Sequence, residues 1–360
     1  MHRQEIVSES KRNRSEDPVG VKRIMTKPAI AVLSGEELFH SFFDEARRKR
    51  LSRLARWKLH TFSKVNPAAL ATLEGAHGFI TTWDSPFLSL KTMAQLPSVR
   101  VIAHCGGEVK KRFESSLFRK LTIVNTPRPM AVPTAELGAA FLLYSARDVD
   151  HYRNALRTGS NRIYREAHIT GGTGGFLFGR EVGMIGFGRI GQALVQLLRG
   201  FNIQWKVYDP YASKMPSRDP HVQFDSLSGL LKRSSMLVVA AAATAKTLHL
   251  LNRDRLGMLQ DGAMVINIAR GSLIDLGALT DEVRRGRLRC ALDVSDPDEP
   301  LPRNHPLRKL PGAIVTPHIG GGGRRTRHEM ADVAIDELER FFRGEPVENR
   351  VTVQMLSRMT

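Results

Sequence analysis

Gly183-Met184-Ile185-Gly186-Phe187-Gly188-Arg189-Ile190-Gly191 is the stretch whose reading decides the fold. It runs from an apolar, strand-like segment through glycines spaced G-x-G-x-x-G into a segment with helical periodicity. In that setting Gly186 permits a tight turn, Gly188 lets the main chain approach a pyrophosphate, and Gly191 lets helix and strand pack closely. The phosphates would rest on the helix N-terminus, at Arg189 and Ile190, where unpaired N–H groups and the helix dipole favour an anion. The next expected strand ends at Asp209, about 20 residues beyond the glycines. An acid there accepts hydrogen bonds from ribose hydroxyls and repels a 2′-phosphate, which points to NAD rather than NADP. An Asp before Pro210 also suits a plain strand-end turn.

Working outward, short apolar runs continue downstream of this motif. Strands are expected near Val182 to Ile185, Gln204 to Tyr208, Met236 to Ala240, Ala263 to Ile268, Arg289 to Leu292 and Ala313 to Val315, with helices between. Six strands in this alternation suit a doubly wound dinucleotide fold. Upstream, Ala29 to Leu33, Gly78 to Thr82, Val99 to Ala103 and Leu121 to Val124 form a second alternating series, with a helix expected from Glu36 to Lys58. A long Ala/Leu-rich helix, Thr134 to Asn154, and a glycine-rich loop, Gly159 to Gly179, join the two. The last helix is expected to start at a T-x-x-E capping box, Thr326 with Glu329, and to run to Phe342 before Gly344.

At 360 residues the chain exceeds what a single core usually accommodates, so two domains are expected. The longest apolar run, Met236 to Ala243, is far short of the ~18 residues that span a bilayer. The first thirty residues lack the apolar stretch of a secretory leader. Residues 1–27 read as a disordered basic tail. Cys105 and Cys290 have no partners at metal spacing, and no other His, Asp or Glu cluster suggests a metal; such sparse cysteine fits the cytoplasm. The net charge of +18, from 54 Lys and Arg against 36 Asp and Glu, is spread along the chain, with no nucleic-acid motif beside it. The dense run Arg47-Arg48-Lys49-Arg50 onward reads as a solvated helix face, and the net charge as steering for anionic ligands.

Three polar groups stand where strands of the second series end, the place where open α/β sheets put ligands. Arg270 follows the apolar run Ala263 to Ala269 and can grip a carboxylate in two-pronged fashion. Glu299 lies in the acidic turn Asp293-Val294-Ser295-Asp296-Pro297-Asp298-Glu299-Pro300. His318 lies in Thr316-Pro317-His318-Ile319-Gly320-Gly321. Each alone has an ordinary structural reading; in this order behind a dinucleotide motif they suggest hydride transfer to a 2-oxo acid.

Together with Asn267-Ile268-Ala269-Arg270-Gly271 and Ala291-Leu292-Asp293-Val294, these segments resemble the D-isomer-specific 2-hydroxyacid dehydrogenase family, from about Ala29 onward. The resemblance implies two Rossmann/flavodoxin-like α/β domains with parallel sheets. An NAD-binding domain, residues 131–319, would be inserted into a discontinuous substrate domain made of residues 28–130 and 320–360. It further implies that Arg270 binds the substrate carboxylate and carbonyl, that His318 is the acid and base, and that Glu299 orients and charges it. Asp293 would contact the nicotinamide carboxamide, Thr247 would lie by the cofactor, and Gly106, Gly107 and Glu108 would form the substrate loop of a homodimeric NAD enzyme.

Three departures bear on the substrate. Glu108 stands where the family usually has a small uncharged residue, and would repel a substrate carboxylate, turn outward to Lys110 or Lys111, or select a substrate with a cationic or hydroxyl-rich tail. Arg324-Arg325 replace a common Thr and Glu, and a Pro is missing from Thr244-Ala245-Lys246-Thr247. The leading expectation is an NAD-dependent 2-oxo acid reductase acting on small molecules, not nucleic acid or membrane. The alternative is an NAD(H)-sensing, corepressor-like interaction protein.

Overall fold

The computed structural model describes residues 27–159, 161–172, 174–212 and 219–359. The reading of residues 1–26 as a tail lies outside the described residues.

The first sheet has five parallel strands, β1 (Ala29–Leu33), β2 (Arg56–His60), β3 (Gly78–Thr81), β4 (Val101–His104) and β5 (Thr122–Asn125), in the order β2-β1-β3-β4-β5. Helices α1 (Glu36–Phe42), α2 (Glu45–Leu54), α3 (Pro67–Leu73), α4 (Leu90–Met93) and α5 (Leu117–Lys120) connect them. The second sheet has seven, β6 (Glu181–Ile185), β7 (Gln204–Tyr208), β8 (Val222–Phe224), β9 (Met236–Val239), β10 (Met264–Asn267), β11 (Arg289–Leu292) and β12 (Ala313–Val315), in the order β12-β11-β10-β9-β6-β7-β8. It is preceded by α6 (Ala131–Ala146), α7 (Val149–Arg157) and α8 (Arg162–Ile169) and threaded by α9 (Arg189–Leu197), α10 (Leu227–Arg233), α11 (Arg253–Gly257) and α12 (Leu276–Arg284). Central strands such as Met236-Leu237-Val238-Val239 are buried throughout, because helices cover both faces of a parallel sheet.

The chain then returns to the first sheet through α13 (Arg324–Arg343) and α14 (Val353–Leu356). Met330, Ala331, Ala334, Ile335 and Leu338 on α13 are fully buried against Ile30, Val32, Val101 and Val124. The basic run of α2 is therefore not merely a solvated face. Arg47 bridges Asp332 at 2.5 Å and Asp44 at 2.9 Å, and Arg50 pairs with Asp336, so opposite charges lock α2 onto α13.

Several element boundaries differ from the sequence reading. The helix expected over Glu36 to Lys58 breaks at Phe43 and Asp44 and ends at Leu54, and Arg56–His60 is an edge strand. Its alternation of charged Arg56 and Lys58 with half-buried Trp57 and Leu59 is the period-2 signal that the surrounding charge concealed. The long helix expected from Thr134 to Asn154 starts at Ala131 and is broken at Asp148, whose φ of 51° is left-handed. The loop after it contains α8, and the nucleotide sheet gains the three-residue edge strand β8. No capping box starts α13: Thr326 is buried inside the helix, the N-cap is Gly323, and Glu329 pairs with Arg325. Gly344 ends it with φ 74°, as expected.

Each sheet has one point where the strand order reverses, β1/β3 in the first and β6/β9 in the second, and open α/β sheets hold ligands outside the strand ends there. Among the described residues no helix is long and apolar enough to cross a membrane.

Candidate active site

At the β6/β9 switch point the three glycines differ in what surrounds them. Gly186 has φ 93°, and a Cβ there would stand 2.5 Å from the main chain of Ala241, so neither its conformation nor its space admits a side chain. A Cβ on Gly191 would stand 2.7 Å from the Gly186 carbonyl oxygen, which is the close packing of helix on turn. A Cβ on Gly188 would meet nothing within 4 Å, leaving an open cradle at the start of α9. Gly188 is the N-cap and supplies no side-chain acceptor, so the first N–H groups of the helix, at Arg189 and Ile190, are free to hold an anion. These residues fit a dinucleotide pyrophosphate.

Asp209 lies against this loop. Its Oδ2 accepts from the Phe187 N–H at 2.8 Å, and its Oδ1 from the N–H groups of Tyr211 and Ala212 at 2.8 and 2.9 Å. The carboxylate thus joins the end of β7 to the glycine turn. Thr247 closes the turn after β9, its Oγ1 accepting from the Thr244 N–H and donating to the Ala242 carbonyl, both at 2.8 Å.

The three polar groups expected to carry chemistry converge. His318 Nδ1 and Glu299 Oε2 are 2.8 Å apart, and the Ser295 N–H donates to Glu299 Oε1 at 3.2 Å. Burial works to raise Glu299, but the hydrogen bond and charge of His318, the Ser295 N–H and the charge of Arg270 together hold its carboxyl below the ordinary range. Arg270 follows β10 in extended conformation. Burial pulls its guanidinium down while the charges of Glu108 and Glu299 counter this, and an arginine stays protonated under such a shift. Gly271 makes the meeting possible, because any Cβ there would collide with the main chain of Ser295 and Asp296.

His318 itself has φ 56°, an uncommon conformation for a histidine. Asp293, almost fully buried, over-determines it: Oδ1 accepts from Thr316 Oγ1 at 2.6 Å and the Ile319 N–H at 2.8 Å, and Oδ2 accepts from the Gly320 N–H at 2.8 Å. Its carbonyl oxygen receives the His318 N–H at 2.8 Å. Asp293 therefore shapes the loop that presents the imidazole, a role that spacing did not reveal.

Residues 139–320 match the model of the NAD-binding domain of D-isomer-specific 2-hydroxyacid dehydrogenases. The chain belongs to that family. It is 33% identical over 269 residues to a glyoxylate reductase of Pyrococcus horikoshii, an alignment covering 74% of this chain and 80% of the relative. It is 30% identical to a glyoxylate/hydroxypyruvate reductase B of Pectobacterium atrosepticum, over 89% of this chain and 98% of the relative. An NADPH-dependent glyoxylate/hydroxypyruvate reductase from Sinorhizobium meliloti, solved with NADP and malonate, superposes with a TM-score of 0.70 at 25% identity, covering 91% and 98% of the two chains. This 2-hydroxyacid dehydrogenase is an oxidoreductase acting on the CH–OH group of its donor, with a binding domain for a nicotinamide dinucleotide.

The loop expected to meet substrate, Gly106 to Glu108, follows β4. Gly107 packs against Met130, a Cβ there standing 3.1 Å from Met130 Cε, and Gly321 packs on the same methionine from the His318 side. Glu108 does not reach the Lys110 or Lys111 ammonium groups; its Oε1 accepts their main-chain N–H groups at 2.8 and 3.2 Å. From that position its charge still acts on Arg270. Lys110 Nζ donates across the cleft to the Ala243 carbonyl at 3.3 Å. Arg324 and Arg325 are exposed.

Proposed function

We propose that the enzyme reduces a short 2-oxo acid with NADH, with Arg270, Glu299 and His318 as the groups that act on substrate. The observation that carries this is the 2.8 Å contact of His318 with an ionised Glu299, set beside a half-buried Arg270 behind a dinucleotide cradle. A corepressor-like sensor requires none of these three groups.

Gly186, Gly188, Arg189, Ile190, Gly191, Asp209, Thr247 and Asp293 would line the dinucleotide, which when bound supplies the hydride. Arg270 pairs with the substrate carboxylate and polarises the adjacent carbonyl, assisted by the N–H groups of Gly106 and Gly107. His318 gives its Nε2 proton to the carbonyl oxygen as that oxygen gains charge, and Glu299 on Nδ1 fixes the tautomer and stabilises the protonated ring. In the reverse direction His318 takes the hydroxyl proton. We read the enzyme as a cytoplasmic homodimer. Leu156, Tyr164, Ile169, Phe176 and Phe178, between 61% and 75% exposed, form an apolar stretch on α7, α8 and the loop beyond that suits a second copy, and both cysteines are free and buried.

Oxidation of NADH with glyoxylate, hydroxypyruvate and pyruvate tests the reading; no turnover with any of them would overturn it. NADH is expected to bind at least tenfold more tightly than NADPH, about 1.4 kcal/mol, because a 2′-phosphate would face Asp209. Equal affinities by fluorescence titration would show Asp209 to be a turn residue only. Glu108→Ser keeps a side-chain oxygen for the turn but removes the charge beside Arg270. It is expected to raise kcat/KM for glyoxylate about tenfold, like charges 4 Å apart at an effective dielectric of 20 costing up to ~4 kcal/mol. An unchanged value would show that Glu108 stays clear of the bound carboxylate.

A further inference from the structure

A second cationic group stands beside this site, and the reaction as derived does not use it. Arg327 lies in the first turn of α13, nine residues beyond His318, and turns inward where Arg324 and Arg325 face solvent. Its guanidinium carbon lies 5.1 Å from the centre of the Trp83 ring and 5.9 Å from that of Phe42. Nη1 donates to Ser41 Oγ at 2.8 Å, whereas Nε is buried with no partner among the described residues. Among the described residues no carboxylate pairs with it, and burial pulls it below its ordinary value, in contrast to Arg270 with its two acids. Stacking on aromatic rings offsets part of the cost of burying such a charge but leaves its in-plane N–H groups unsatisfied.

The surroundings join this guanidinium to the site on both sides. Nη2 is 3.9 Å from where a Cβ on Gly322 would stand, and the His318 carbonyl oxygen is 3.9 Å from the same point. On the other side Trp83 approaches the substrate loop, its Nε1 being 3.0 Å from a Cβ placed on Gly106. The same Cβ would collide with Nε2 of His104, which is fully buried, pushed by burial down to about 3 and hence neutral, and without a partner at Nε2 among the described residues. Trp83 follows β3, and the preceding Thr82 donates its hydroxyl to Ser34 Oγ, just after β1, at 2.7 Å, so Trp83 stands at the β1/β3 switch point of the first sheet.

We propose that Arg327, stacked on Trp83, is a second anion-binding subsite, and that the preferred substrate is a 2-oxo acid carrying a further carboxylate or phosphate on the carbon chain beyond its carbonyl. Arg270 takes the carboxylate at C1, and Arg327 takes the distal anion. This rests on the 2-oxo acid reduction proposed above.

The test compares matched pairs under NADH: pyruvate against oxaloacetate, which adds a carboxylate, and hydroxypyruvate against 3-phosphohydroxypyruvate, which adds a phosphate. The wild-type enzyme is expected to favour the anionic member of at least one pair by tenfold or more in kcat/KM, and which pair responds identifies the anion. Arg327→Gln is expected to lower kcat/KM for that member roughly 30-fold through KM, as for a lost hydrogen bond to a charged group, with the neutral member changing less than threefold. Arg327→Lys should recover part of the loss, and an unchanged NADH dissociation constant confirms the fold of each variant; if the Gln variant does not fold, the Lys variant alone must raise KM for the anionic member only. Equal losses for both members, or no wild-type preference in either pair, overturn the subsite. Should no 2-oxo acid turn over, the reading of the reaction fails by itself. The subsite is then judged by malonate against acetate binding to the NADH complex, which must be tighter for malonate and must weaken in Arg327→Gln.

Discussion

Replacing His318 by Asn is expected to lower kcat about a thousandfold while leaving the NADH dissociation constant within about twofold, since a positioned general acid contributes roughly 10²–10⁴ in rate. Asn is the informative substitution because position 318 has φ 56°, which Asn tolerates and which would strain Ala. The loop then keeps its anchors, the Asp293 carboxylate on Thr316, Ile319 and Gly320, and only the imidazole is lost. Glu299→Gln is the companion variant. It retains a hydrogen-bonding oxygen opposite Nδ1 but lacks the negative charge beside the ring, so activity should persist at a reduced level while the NADH dissociation constant is unchanged. A His318→Asn enzyme retaining more than a tenth of the wild-type kcat would show that another group, or water, delivers the proton.

Arg270→Lys should lower kcat/KM for glyoxylate a few hundredfold although the charge is kept, about 3–4 kcal/mol for two charge-assisted hydrogen bonds lost or misaligned. The planar fork of Arg270 can meet a carboxylate oxygen and the neighbouring carbonyl together, whereas a lysine ammonium is a single point on a flexible stem. The position is also partly buried between Glu108 and Glu299, so a shorter contact set leaves those two acids less well compensated. Steady-state kinetics with glyoxylate, together with NADH titration to confirm an intact cofactor site, give the comparison. A loss below about fivefold would mean that charge alone, without bidentate geometry, is what the substrate needs.

The two variants separate what each half of the site contributes. If His318 acts on the proton as proposed, its loss should fall on kcat; if Arg270 binds both substrate and transition state, its loss should divide between KM and kcat. Glu108 follows β4 and Arg327 lies in the first turn of α13, which returns to the same sheet; one is an acid acting on Arg270 and the other a cation that no acid among the described residues pairs with. On the proposed reading, their opposite charges make that region the place to test substrate choice.

By itself, the amino-acid sequence pointed to the nucleotide cradle and to Arg270, Glu299 and His318 as the candidate reacting groups. These are written in short segments, Gly186 to Gly191 or Ala263 to Arg270, where local conformation and residue type coincide with the chemistry. The buried strands were legible for the same reason, because a parallel strand covered on both faces is a continuous apolar run. Edge strands β2 and β8 were not, since one is charged and the other three residues long, and only pairing with a neighbour makes either a strand. The tertiary structure alone decided that Arg47 and Arg50 clamp α13, that Asp293 builds the His318 loop, that Gly271 must be bare for Ser295 to pass, and that Arg327 turns onto Trp83. Each of these joins residues from 23 to 286 positions apart in the chain. Local periodicity cannot encode such pairings; the packing of the two sheets and their returning helix does.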